Sequence, residues 1–124
     1  LVAEDNDMNW EIIQILLAEC GDSCDRAENG RICLDVISEA PEGTYDAILM
    51  DVQMPEMTGL EATRRIRALP AEKNGAVPIV AMTADAFAED VQTCLASGMN
   101  GHIAKPVDVS KLRQYLQKIK NHTL

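Results

Sequence analysis

The sequence of 124 residues is short of aromatics, of positive charge and of long apolar runs, and each shortage excludes something. Aromatic residues make up 3%, so a core has to be built from Ile, Leu, Val, Met and Ala. No apolar run approaches the ~20 residues a helix needs to span a bilayer, and no secretory signal is visible. Eleven Lys and Arg stand against 20 Asp and Glu, a net charge of −9. That deficit argues against direct nucleic-acid binding, which needs a basic footprint, and against docking on anionic lipid. It fits a solvated surface or a partner with basic patches. The four cysteines (Cys20, Cys24, Cys33 and Cys94) include no C-x-x-C pair, and neither histidine lies near them in sequence. A zinc site is therefore not indicated, and they read as small, reduced hydrophobes of a cytosolic protein.

What is present is ordinary for one globular domain: 47% hydrophobic and 25% charged residues, in a length that suits a single core. The chain opens Leu1-Val2-Ala3 without an initiator Met, so it is expected to be a domain within something longer. Short apolar runs at Leu1–Ala3, Tyr45–Met50, Val77–Met82 and Gly101–Ala104, with a weaker one at Ser23–Ala27, read as strands. Segments of helical spacing separate them. Met8, Ile12, Ile15 and Leu16 predict a first helix with Asn6 or Asp7 as its cap and Gly21 as its stop. Ile32, Val36 and Ile37 predict a second before Pro41. Leu60, Thr63, Ile66 and Leu69 predict a third before Pro70. Phe87, Val91, Cys94 and Leu95 predict a fourth, capped by Asp85. Val109, Leu112, Leu116 and Ile119 predict a fifth, capped by Asp108, with Lys118 and Lys120 suiting its C-terminal dipole. The order strand then helix, five times over, points to a parallel sheet covered on both faces. The loop over 70–76 is expected to be the most flexible stretch.

In an open parallel sheet, ligands bind outside the carboxyl ends of the strands. Those ends carry Glu4 and Asp5, then Asp51, then Thr83, then Lys105. Singly, each has a bland explanation as a helix cap or a turn residue. Together they bring three carboxylates, a hydroxyl and an ammonium to one edge. Like charges at close range are unfavourable, so a cation should neutralise Glu4, Asp5 and Asp51. Mg²⁺ suits such oxygen ligands, and a metal with a lysine suits phosphoryl transfer. Asp51 is the central candidate for a carboxylate nucleophile toward phosphorus.

Four motifs carry a resemblance: Glu4-Asp5-Asn6; Leu49-Met50-Asp51-Val52-Gln53-Met54-Pro55 with Met57 and Gly59; Ala81-Met82-Thr83-Ala84; and Asn100-Gly101-His102-Ile103-Ala104-Lys105-Pro106. All four in order resemble the receiver domain of a response regulator, and the style is most similar to receivers attached to hybrid histidine kinases. The resemblance covers essentially residues 1–124 as one domain. It implies a doubly wound, flavodoxin-like (βα)5 fold with strand order 2-1-3-4-5. It implies Asp51 as phosphoacceptor, with Asp5 on Mg²⁺ directly, Glu4 supporting through water and the Gln53 backbone carbonyl completing the shell. It implies that Lys105 pairs with Asp51 or the phosphoryl group, that the Lys105–Pro106 bond is cis, and that Thr83 and His102 switch together. His102 stands where the family often has Tyr or Phe, and Thr58 where it usually has an acid. The implied partners are a histidine kinase core or a histidine phosphotransfer domain, with no direct nucleic-acid or membrane contact. The implied location is cytoplasmic, whatever membrane anchor the parent carries. The resemblance implies a domain that assists its own phosphorylation and dephosphorylation, with the kinase activity of a hybrid parent lying outside it.

Other readings compete. A receiver-like module that binds partners without phosphorylation is opposed by the retained Asp51, Asp5, Thr83 and Lys105. A flavodoxin-like FMN domain needs a phosphate-binding loop after the first strand, where this chain has acids. A metal-dependent phosphatase with an Asp nucleophile would want a second acid two residues on, where this chain has Gln53.

Overall fold

The computed structural model describes residues 1–54, 56–84 and 88–122, with the side chains of 88–90 excepted. Five strands, β1 (Val2–Ala3), β2 (Arg26–Ala27), β3 (Ile48–Asp51), β4 (Ile79–Thr83) and β5 (Gly101–Ala104), pair in parallel in the order β2-β1-β3-β4-β5. Between and after them run helices α1 (Asp7–Glu19), α2 (Gly30–Glu39), α3 (Gly59–Arg67), α4 (Ala88–Ser97) and α5 (Val109–Lys120). Every residue of β3 and β4 is buried, as strands covered on both faces should be.

The alternation along the strands divides the core in two. Val2, Leu49, Val80, Met82 and Ile103 pack with Ile13 and Leu17 of α1 and Leu112 of α5. Ala3, Ile48, Met50, Ile79 and Ala81 pack with Cys33 and Ile37 of α2, Ile66 of α3 and Cys94 of α4. The expected (βα)5 winding and strand order are those observed. The register sets the upper edge: Ala3 lies opposite Met50, Asp51 opposite Met82, and Thr83 opposite Ala104. Glu4, Asp51 and Lys105 therefore emerge at the same rim.

Helix starts follow local chemistry. Asn6 caps α1 by accepting the Asn9 N–H, and Asn29 caps α2 by accepting that of Ile32. Thr58, standing where the family usually has an acid, caps α3 by accepting the Glu61 N–H. Asp108 caps α5. The expected cap Asp85 and face residue Phe87 of α4 lie outside the described residues.

The face expected on α1 is corrected. Met8, Ile12 and Ile15 are 72%, 49% and 60% exposed, whereas Ile13 and Leu17 are buried and Leu16 half-buried. The helix is apolar on two sides, so periodicity alone does not fix its rotation. The side facing the sheet is the one carrying Asn9, Ile13 and Leu17, with Asn9 bonded to Glu4 at the end of β1. The loop over 70–76 is not featureless. It holds a short 3₁₀ turn (Ala71–Lys73), and buried Asn74 donates to the carbonyls of Ile37 and Ala40 while accepting the Gly43 N–H. A polar loop sequence gave no sign of that anchoring.

Candidate functional site

A cleft of about 260 Å³ opens at the carboxyl edge of β1, β3 and β4, lined by Glu4, Asp5, Asp51, Gln53, Thr83 and Lys105 among others. It straddles β1 and β3, where the strand order reverses and an open α/β sheet leaves a crevice. Oxygens from Glu4, Asp5 and Asp51 lie within 4.8 Å of one another. Glu4 is fully buried, Asp51 is 5% exposed, and Asp5 is open to solvent.

Lys105 bridges two of these acids. Its Nζ lies 3.1 Å from Asp51 Oδ2 and 3.2 Å from Glu4 Oε2. Its backbone N–H donates to the Thr83 carbonyl at 2.8 Å, which ties the loop after β5 to the end of β4. The Lys105–Pro106 bond is cis. Burial pushes the Asp51 carboxyl up to about 6, with help from the Glu4 charge; the Lys105 hydrogen bond and the Gln53 N–H pull the other way. For Lys105, burial favours the neutral amine, but its hydrogen bond and charge interaction with Asp51, and then Glu4, raise it overall. The pair is a lysine ammonium facing a carboxylate that ionises reluctantly.

The backbone behind Asp51 is held closely. Gln53 N–H donates to Asp51 Oδ1 at 3.2 Å, and Gly59 N–H donates to the Val52 carbonyl at 2.9 Å. A Cβ on Gly59 would come within 2.2 Å of the Asp51 carbonyl oxygen, so only glycine lets α3 begin there. Thr83 is buried at the end of β4, beside the cleft. His102 lies elsewhere: it is half-buried on β5, two residues before the register partner of Thr83, and its N–H donates to Tyr115 Oη at 3.2 Å.

Two contributors were not read from sequence as parts of the site. Asn9 Nδ2 donates to Glu4 Oε1 at 3.2 Å. Arg26 Nε donates to the Glu4 carbonyl at 3.1 Å, and its Nη1 lies 2.8 Å from Asp7 Oδ1. Arg26 also sits over the Trp10 ring, 5.8 Å from its centroid. Asn9 stands three residues after the cap Asn6, a spacing that could have flagged it. Nothing near Arg26 in sequence marks it.

The clustered donors are hard carboxylate oxygens with no thiolate or imidazole, which fits a cation such as Mg²⁺ or Ca²⁺ rather than a soft metal. Among the described residues no helix is long and apolar enough to cross a membrane.

An open sheet in the order β2-β1-β3-β4-β5 with an acidic, lysine-bridged cleft at its switch point places the molecule among flavodoxin-like α/β domains. The chain belongs to the response regulator receiver domain family, whose model matches residues 1–117. It is 41% identical over 118 residues to hybrid signal transduction histidine kinase I of Dictyostelium discoideum, covering 94% of this chain but 7% of that protein's length. In structure it is similar to the receiver domain of sensor histidine kinase PA1611 from Pseudomonas aeruginosa, which has a magnesium ion coordinated in its active-site cleft. That match has a TM-score of 0.84 and 36% identity, over 96% of this chain and 94% of the other. It is also similar to a chain in the co-crystal structure of the Saccharomyces cerevisiae histidine phosphotransfer protein Ypd1 with the receiver domain of Ssk1, with a TM-score of 0.85 and 30% identity. That second match covers 99% of this chain and 89% of the other. The domain is a receiver of two-component signalling.

Proposed function

We propose that Asp51 is the phosphoacceptor and that its donor is a phosphohistidine on a histidine kinase core or a histidine phosphotransfer protein. The observation that carries this is Asp51 itself: a buried carboxylate at the sheet's carboxyl edge, 3.1 Å from the Lys105 ammonium and within 4.8 Å of two more carboxylates. A carboxylate oxygen of Asp51 attacks phosphorus, the P–N bond of the donor breaks, and the imidazole nitrogen leaves with its electron pair and takes a proton from solvent. Asp5, Glu4, Asp51 and the backbone carbonyl of Gln53 would hold Mg²⁺, which when bound neutralises charge on the transferring group. Lys105 supplies the matching positive charge from the β5 side. Thr83, at the end of β4, would donate its hydroxyl to the phosphoryl oxygens.

On this reading residues 1–124 act as one receiver domain of a hybrid histidine kinase, with the kinase core elsewhere in the parent. Thr83 and His102 would move together and alter the surface of α4, β5 and α5. The exposed apolar residues Met8, Ile12 and Ile15 of α1 would offer a donor protein a place to dock. The reading goes with a cytoplasmic location, where the nucleotide that charges a histidine kinase is found.

Phosphoramidate carries the same P–N bond as phosphohistidine and tests the acceptor without a partner protein. With Mg²⁺ present, the wild-type domain should gain the mass of one phosphoryl group, labile to hydroxylamine, and Asp51→Asn should gain none. Equal gain by the Asn variant would place the acceptor elsewhere.

A further inference from the structure

We infer that Asn9 is a positioning residue for the cation site, because it fixes which oxygen of Glu4 faces the cleft. The inference rests on the proposed Mg²⁺ site and deepens it. Glu4 is fully buried, and its carboxylate contacts are divided between its two oxygens. Oε1 accepts the Asn6 N–H at 3.3 Å and the Asn9 side-chain amide at 3.2 Å. Oε2 accepts the Lys105 ammonium, which is shared with Asp51. A carboxylate only accepts, so the Asn9 group that meets it has to be the NH₂.

Both donors to Oε1 come from the first turn of α1. Asn6 caps that turn by accepting the Asn9 N–H at 3.0 Å, so the backbone that carries the Asn9 amide is itself pinned. Oε1 is committed to the helix cap and first turn, and Oε2, which meets the Lys105 ammonium at the cleft, is the oxygen left to face a cation.

The length of Glu4 gives this tether a chemical consequence. A glutamate has one methylene and one torsion more than an aspartate, and an untethered one could swing both oxygens onto one cation. Bidentate carboxylates suit Ca²⁺, which takes six to eight oxygens at longer distances. Mg²⁺ demands near-octahedral geometry and keeps several waters. By occupying Oε1, Asn9 makes Glu4 a one-oxygen partner, and that favours the smaller ion. Groups that orient a metal-site carboxylate in this way typically contribute about 10–100-fold to metal affinity.

The test is a double-mutant cycle read by metal binding. The metal-free domain is titrated separately with MgCl₂ and CaCl₂ and followed by amide proton–nitrogen NMR, for wild type, Asn9→Ala, Glu4→Gln and the double variant. Asn9→Ala should weaken Mg²⁺ about 10-fold and Ca²⁺ by less than about threefold. In the Glu4→Gln background the Asn9 change should have no further effect on Mg²⁺. Equal losses for both ions, additive losses in the double variant, or undiminished Mg²⁺ binding by Asn9→Ala would each overturn the inference alone. Failure of the wild-type domain to bind Mg²⁺ would overturn the cation-site reading as well.

Discussion

The sheet has a polar cluster at each end, and the two are built on opposite principles. At the amino edge Arg67 donates to the carbonyls of Gly98 and Gly75 and to Asn100 Oδ1, at 2.9, 2.8 and 2.8 Å. The same Asn100 oxygen accepts the Ile79 N–H at 2.9 Å. One cation there meets only neutral acceptors, two backbone carbonyls and the side-chain oxygen of Asn100. At the carboxyl edge three carboxylates lie together, two of them on one ammonium, and Asp51 is left with its proton affinity raised. The amino-edge cluster lowers the energy of the fold. The carboxyl-edge cluster raises it and holds charge ready for a cation and a phosphoryl group. Lying at an edge of the sheet does not explain the difference, since both clusters do. The excess of negative charge does.

If this contrast is right, removing a charged group should have opposite signs at the two ends. The largest effect should come from Arg67→Ala, which orphans two carbonyls and one side of Asn100. It should destabilise the domain by about 3 kcal/mol, since each buried group left unsatisfied costs about 1–3 kcal/mol. A urea midpoint that moved by the equivalent of less than about 1 kcal/mol would show that water replaces the guanidinium freely. At the other end Asp51→Asn should stabilise the metal-free domain near neutral pH by about 1–3 kcal/mol, because the amide resembles the protonated acid that burial favours. Loss of stability in that variant would mean that the Lys105 ion pair outweighs burial and repulsion.

Much of the fold was legible because buried parallel strands and capped helices leave local marks. Asp51, Thr83 and Lys105 each follow an apolar run, and a parallel sheet brings such residues to one rim whatever the details of packing. The rotation of α1 was not legible. Met8, Ile12 and Ile15 are as regularly spaced as the residues that pack, and the choice between the two stripes is made by tertiary contacts. Arg67 was invisible for another reason. An arginine near the end of a helix reads as a solvated charge favourable to the dipole, and its three acceptors come from segments 8 to 33 residues away in sequence. Asn9 was half visible, as a polar residue in the first turn of a helix. Its target, the side chain of Glu4, requires the geometry. Long-range polar contacts carry no periodicity, so sequence pattern finds the site but not its supports.

The smallest effect, and the sharpest, is the pH dependence of the carboxyl edge. The Asp51 carboxyl lies near its ordinary value of 3.8 in the unfolded chain and at about 6 in the folded one. An acid raised on folding binds its proton more tightly in the native state. Its contribution is therefore fully present below the unfolded value and is lost as pH rises through the folded value. From about pH 5 to about pH 7 this group alone should remove about 1 kcal/mol from the metal-free domain. The other acids titrate over overlapping ranges, so the quantity to measure is a difference. Urea unfolding of wild type and Asp51→Asn in EDTA, at several pH values across that window, isolates the group. The two stabilities should converge toward pH 5 and separate toward pH 7, with the variant the more stable. A gap that stayed constant across the window would mean that Asp51 has already ionised by pH 5, because Lys105 compensates its burial, and the carboxyl edge would then be less frustrated than its geometry implies.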